Sequence, residues 1–86
     1  MQRRKGFIIG NEHEEFVAVF KQDSGSQVVG WTSLLDLAFP FKTRFDCREA
    51  INSIRSDKYI LWELELYETK NGLALFCDCE VLPPWL

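Results

Sequence analysis

Short runs of apolar residues predict strands in the first third of the chain. Residues 6–11 form the first and residues 15–21 the second, in which apolar side chains occupy nearly both faces. A strand that is apolar on both faces is typical of a central or well-covered position in a sheet. A turn around Gly25 then allows residues 27–31 to return as a short third strand.

The middle third predicts a short helix followed by a longer one. Ser33 and Asp36 have the N-cap and N3 spacing of a capping box, and a proline soon afterwards ends that helix early. Thr43 and Asp46 repeat the box and begin a helix over about residues 44–55. Its apolar positions form one stripe, made of Cys47, Ala50, Ile51 and Ile54. This stripe predicts that the helix lies on a sheet.

The last third predicts a β-hairpin, with residues 60–67 and 73–82 flanking Asn71-Gly72. If those two residues are the loop, the apolar pairs are Leu66 with Cys77, Leu64 with Cys79 and Trp62 with Val81. Three successive apolar pairs on one side indicate one buried face. The predicted fold is α+β, with a four- to five-stranded antiparallel sheet and one main helix packed on one face, in a single domain of residues 1–86.

The other face of the predicted hairpin is acidic. The same register places Glu63 opposite Glu80, Glu65 opposite Asp78, and Tyr67 opposite Phe76. Like charges directly opposite one another destabilise a sheet. Three interpretations stay open: a solvated outer face, a docking surface for a basic partner with aromatic anchors, and a carboxylate site for a hard cation.

Both ends of the chain have a distinct composition. The basic residues Arg3, Arg4 and Lys5 are expected in a frayed, solubilising N-terminal segment of residues 1–5. Residues 83–86, Pro-Pro-Trp-Leu, resemble a polyproline segment that carries two large apolar groups. Trp85 either folds back over the core or stays exposed as an anchor for a partner or a second copy.

Charge and cysteine content limit the classes of partner and the compartment that we expect. The formal net charge of −3 argues against direct binding of nucleic acid, which needs a basic surface. No apolar run approaches the roughly 20 residues that span a bilayer, and no segment resembles a targeting signal, so we expect no membrane partner. Three cysteines are too few for a disulfide framework and indicate the reducing cytoplasm.

Few residues suggest catalysis or metal binding. Cys77 and Cys79 alternate onto the apolar face, and Cys47 lies on the helix stripe predicted to cover it, which favours core packing over a metal site. His13 stands among glutamates without a paired nucleophile. We therefore expect no catalytic residue, no metal and no cofactor. The alternative is a small enzymatic or metal-dependent domain that uses His13 and the carboxylates.

The order of these features resembles a class of small phage and prophage accessory proteins. These consist of an opening hairpin, a tryptophan, a short helical turn, an Ala-x-x-Phe element, a second helix and closing strands. The matching residues are Phe7-Ile8-Ile9, Trp31, Ala38 with Phe41, the Thr43–Asp46 box and Ala50-Ile51, within residues 6–67. Some phage proteins of similar size, including anti-CRISPRs, block host defence by occupying a nucleic-acid-binding surface. The resemblance implies a binding protein.

These observations predict a non-enzymatic, phage-type accessory or inhibitor protein that binds another protein with a basic surface, for example a nucleic-acid-binding one. The predicted contact residues are Glu63, Glu65, Asp78, Glu80, Tyr67, Phe76 and Trp85. A second alternative is a self-associating structural component, such as a homodimer formed through the tail and an exposed sheet edge.

Overall fold

The computed structural model describes residues 2–23, 26–54, 59–77 and 83–86 of the chain. Its elements are β1 (Arg3–Asn11), β2 (Phe16–Asp23), β3 (Ser26–Thr32), a 3-10 helix (Leu35–Leu37), α1 (Arg44–Ile54), β4 (Leu61–Thr69) and β5 (Gly72–Phe76). The strands form one antiparallel sheet in the order β3-β2-β1-β4-β5. With α1 packed against it, this sheet confirms the predicted α+β fold.

Helix α1 begins where the capping pattern predicts. The Thr43 Oγ1 atom accepts a hydrogen bond from the Asp46 N–H at 3.1 Å, which satisfies one of the free donors of the first turn. The predicted stripe is confirmed as the packing side, with Cys47, Ala50 and Ile54 buried. The box predicted at Ser33 is wrong: Leu34 precedes the 3-10 helix without a side-chain cap.

The first two strands separate soon after their turn, and a third segment fills the gap. β1 and β2 pair at Gly10 and Phe16. Farther along, the Phe39 N–H donates to the Val17 carbonyl on β2 at 2.8 Å. Phe41 exchanges two hydrogen bonds with Phe7 on β1, of 2.7 and 2.8 Å. Residues 39–41 therefore satisfy backbone groups that the separation of β1 and β2 would otherwise leave unpaired.

The sheet has apolar side chains on both faces. Against α1 lie the buried residues Phe7, Ile9, Val17 and Phe41. The opposite face contains a second buried cluster, made of Ile8, Phe16, Ala38, Leu64 and Leu66. The alternation of β1 divides its apolar side chains between the two clusters, as expected for a strand in the middle of a sheet.

The register of the last hairpin differs from the predicted one by two residues. Thr69 pairs with Gly72 and Glu65 with Phe76, so Leu66 lies opposite Leu75 rather than Cys77. A type I′ turn needs positive φ at both loop residues, but here Gly72 has the positive φ, of 114°, and Asn71 does not. Because the shift is even, every side chain keeps its predicted face. The predicted pairs of Cys79 and Val81 lie outside the described residues.

The basic N-terminal residues are not frayed. β1 begins at Arg3, which pairs with Glu68, and Arg4 pairs with Tyr67. The Lys5 Nζ atom lies 3.6 Å from a Glu68 carboxylate oxygen. These residues extend the central β1–β4 pairing.

Candidate functional site

The acidic face of β4 lies beneath α1 and is not an outer surface. The side chains of Glu63 and Glu65 are only 13% and 17% exposed. Arg44 Nη2 donates to Glu65 Oε1 at 2.7 Å, and Arg48 Nε donates to Glu63 Oε1 at 3.0 Å. Arg44 Nε also lies 3.3 Å from Glu63 Oε2, a charge contact without a hydrogen bond. The expectation of an open carboxylate face is therefore wrong for Glu63 and Glu65.

The sequence also predicted that the Cys47 stripe of α1 covers the apolar face of the hairpin, and this prediction is wrong. Cys47, on α1, packs in the cluster beneath the helix, whereas Cys77 packs against the cluster on the opposite face. Both thiols are free. Burial raises the pKa of the Cys47 thiol to about 12, and the nearby Glu63 carboxylate adds to this increase. Asp78, Glu80 and Cys79 lie outside the described residues.

Tyr67 and Phe76 are in contact, although they are not directly paired. Their ring centroids are 5.0 Å apart in an edge-to-face arrangement. The Tyr67 hydroxyl donates to Glu65 Oε2 at 2.9 Å, and this bond raises the pKa of Tyr67. With Gln2, Glu65 and Cys77 these rings line a hollow of about 330 Å³. Its Glu65 carboxylate already binds Arg44 and Tyr67, so the hollow has little charge left to offer a ligand.

Trp85 folds back onto the sheet. Its Nε1–H donates to the Asn11 carbonyl at 3.0 Å. Its ring meets Phe16 and Trp62 edge-on, with centroids 5.7 and 6.4 Å apart. It also lies close against Gly10, where a Cβ atom would be 3.2 Å from the indole. Of the two interpretations of the tail, core covering is confirmed, and Trp85 is not an exposed anchor.

His13 lies in a turn organised by the buried Asn11. The Asn11 Oδ1 atom accepts hydrogen bonds from the backbone N–H groups of His13 and Glu15, at 2.8 and 3.1 Å. The His13 ring lies 3.4 Å from Glu12 and edge-on to Tyr59. Within the described ranges, no three histidine, cysteine or acidic side chains come together in a way that could hold a metal ion.

A groove that the sequence did not reveal runs along the opposite side of α1 from its arginines. We call it the phenylalanine groove; it has a volume of about 430 Å³ and is lined by Phe20, Phe39, Pro40, Phe41, Lys42, Asp46, Glu49, Ala50 and Ser53. Phe41 contacts both other rings, with centroid distances of 5.9 Å to Phe20 and 4.9 Å to Phe39. The groove exists because α1 lies over β1 and β4 while residues 39–41 hold β2 apart from β1.

The electrostatics of this groove differ from those of β4. Within the described parts of the chain, neither Asp46 nor Glu49 takes part in an ion pair, whereas Glu63, Glu65 and Glu68 all do. Both carboxylates are on exposed residues three positions apart on one helix side, where like charges repel. The negative charges of Asp46 and Glu49 are therefore available to attract a ligand.

The sequence contained partial signals for the groove. Asp46 had a role as the N3 residue of the capping box, and Glu49 as a residue of the polar helix side. Nothing in the periodicity places Phe20 of β2 beside them, because their proximity depends on the insertion of residues 39–41 into the sheet.

The fold and groove define a small α+β protein with a mixed apolar and acidic cleft beside its helix. No protein-family model matches the chain, and neither a curated protein nor a solved structure matches it. The helices in the described residues are too short or too polar to cross a bilayer.

Proposed function

We propose that this chain is a small, non-enzymatic accessory or inhibitor protein of the phage type, which acts in the cytoplasm by binding another protein in the phenylalanine groove. The observation that carries the proposal is the combination, in one cleft, of apolar rings and two carboxylates that form no ion pair with any described residue. We therefore propose the acidic and aromatic contact surface on the other side of α1 and not on β4.

The size and lining of the groove support a binding role. Its volume of about 430 Å³ lies within the range of about 300–1,000 Å³ that is usual for ligand pockets. Protein interfaces favour aromatic anchors surrounded by polar groups. Phe39 lines the groove and is 38% exposed. Part of its ring is therefore accessible to a partner.

Charge favours a protein over a nucleic acid as the ligand. A nucleic acid would bring phosphates towards Asp46 and Glu49, and only Lys42 among the lining residues would attract them. A protein with a basic surface would instead gain two opposite charges at the rim.

The test is capture of a partner from host lysate with matched variants, followed by calorimetric measurement of Kd with the identified, purified partner. Phe39→Ala and the double variant Asp46→Asn/Glu49→Gln, all at residues that line the groove, are expected to weaken binding. The controls are Ile60→Ala, which removes another exposed apolar side chain, and Asp36→Asn, which removes another exposed carboxylate.

Neither control residue lines the groove. We expect each groove variant to weaken binding at least about fivefold, which corresponds to about 1 kcal/mol, a usual threshold for an energetically important contact. Equal affinity of the groove variants and the wild type would show that the partner binds elsewhere.

A further inference from the structure

We infer that the phenylalanine groove takes a peptide segment in which one large apolar side chain is followed directly by lysine or arginine. This inference rests on the proposed function and specifies the chemistry of the partner. Its two parts, the apolar anchor and the adjacent cation, come from different observations and are tested separately.

The apolar part follows from the floor of the groove. Phe41 is buried and fixed by two hydrogen bonds to β1, so its ring is a rigid base. Phe39 and Phe20 contact it from two sides. Ala50 contributes only a methyl group from α1, which leaves space between the helix and the rings. A phenylalanine or leucine side chain would cover the exposed parts of Phe20 and Phe39, and an aromatic one could also pack edge-on against them.

The cationic part follows from the wall made by α1. Asp46 and Glu49 face the groove three residues apart, about 4.5 Å along the helix axis. A single guanidinium or ammonium group between them would relieve their mutual repulsion and gain two attractions. The Thr43 hydroxyl already caps α1 through the Asp46 N–H, and no bond in the described residues returns from the Thr43 N–H to the Asp46 carboxylate.

Lys42 determines the orientation in which the peptide binds. It lines the groove at the N-terminal end of α1, while Glu49 and Ser53 line it farther along the helix. The cation of the ligand is repelled by Lys42 and attracted by Glu49. The basic residue of the ligand therefore lies between Asp46 and Glu49, away from Lys42, and the apolar anchor lies over Phe39 and Phe41.

The experiment is a titration of the full-length, isotope-labelled protein with short peptides, followed by amide chemical shifts. The probe is acetylated, amidated Gly-Ser-Phe-Arg-Arg-Ser-Gly. One comparison peptide has Gln-Gln in place of Arg-Arg, and a second has Ala in place of Phe. Each is titrated into the wild type, the Asp46→Asn/Glu49→Gln variant and the Asp36→Asn control.

We expect saturable shifts at groove residues such as Phe41, Ala50 and Ser53 with the Phe-Arg-Arg peptide. The Gln-Gln peptide, and the double variant with the original peptide, should each bind about tenfold more weakly, which corresponds to 1.4 kcal/mol. Binding should also weaken at about 1 M salt, where charges are screened beyond about 3 Å. The Asp36→Asn control should bind like the wild type.

The outcomes separate this inference from the proposed function. Equal binding of the Gln-Gln peptide at the groove would overturn the cation requirement while leaving the groove as a binding site. Equal binding of the Ala peptide would overturn the apolar anchor. Single-stranded oligothymidylate is titrated in the same way, and saturable shifts at the same residues would overturn the choice of a protein ligand. Absence of shifts with every peptide would overturn the inference, whereas the proposed function depends on the captured partner and the groove variants.

Discussion

Neutralising Glu65 should destabilise the protein, although the sequence alone predicts the opposite. On an open acidic face, Glu65→Gln would relieve repulsion. In the structure the carboxylate is a partner of Arg44, whose Nη2 atom lies 2.7 Å away, and of the Tyr67 hydroxyl at 2.9 Å. Glutamine can still accept from Tyr67, but it leaves the Arg44 guanidinium with one carboxylate fewer.

The expected loss in free energy of unfolding for Glu65→Gln lies between two limits. An exposed ion pair contributes about 0.2–1 kcal/mol, while removal of one partner of a buried pair costs about 3–5 kcal/mol. Glu65 is 17% exposed and Arg44 is 38% exposed, so solvent screens the pair in part. We therefore expect Glu65→Gln to lower the free energy of unfolding by about 1–2 kcal/mol. Each kcal/mol corresponds to a fall in Tm of about 4–8 °C in a domain of this size.

The assay is urea unfolding followed by circular dichroism, extended to a double-mutant cycle with Arg44→Met. The methionine removes the guanidinium, whose central carbon lies 5.4 Å from the centroid of the Phe7 ring, and keeps much of the apolar stem. A coupling energy of about 1 kcal/mol between the two changes is expected for residues in one ion network. The matched control is Glu68→Gln, because Glu68 is 59% exposed and pairs with Lys5 at 3.6 Å. It should change stability by less than about 0.5 kcal/mol.

A stable Glu65→Gln variant would refute this reasoning. If its midpoint equals or exceeds that of the wild type while Arg44→Met behaves independently, the carboxylate faces water and α1 does not cover β4 as described.

Two further predictions concern the two faces of the sheet. Trp85→Ala should lower the free energy of unfolding by about 2 kcal/mol, which is less than the loss of about 3–5 kcal/mol on truncating a fully buried ring. The solution mass should not change. A changed mass with unchanged stability would instead show that the tail is an association element. Cys47 should resist iodoacetamide in the native protein at about pH 8 and react after unfolding, as peptide mapping would show, because the thiolate is the reactive form. Since folding raises the pKa of Cys47 from 9.0 to about 12, its contribution to stability is complete below pH 9.0 and is lost as the pH rises towards 12. The Cys47→Ala variant should lose less stability over that range, and equal alkaline loss in both proteins would contradict this assignment.

Local signals in the sequence determined the start of α1, its packing stripe and the division of β4 into two faces. A hydroxyl at Thr43 begins α1 because it satisfies a backbone donor within its own turn. The helix stripe and the alternation of β4 likewise follow from backbone geometry alone. The even register shift of the last hairpin shows the limit: the faces agree with the prediction, but the loop residues are Lys70 and Asn71, and Gly72 pairs with Thr69.

Only the tertiary structure decided which face α1 covers. Both faces of the sheet carry buried side chains, since Phe7 and Ile9 point to one side and Ile8 to the other. Apolar burial alone therefore does not choose between them. Arg44 and Arg48 project from α1 onto Glu63 and Glu65, and this complementarity makes an acidic strand face compatible with burial. Trp85 covers part of the face that α1 leaves open.

The phenylalanine groove, too, is formed only by the tertiary structure. Each of its residues has an ordinary local role: a strand residue at Phe20, a segment after the 3-10 helix at Phe39, and a capping-box position at Asp46. They meet because residues 39–41 insert between β1 and β2 and hold the strands apart. Hydrogen bonds between residues distant in the chain create that arrangement, and no periodicity within one segment encodes them.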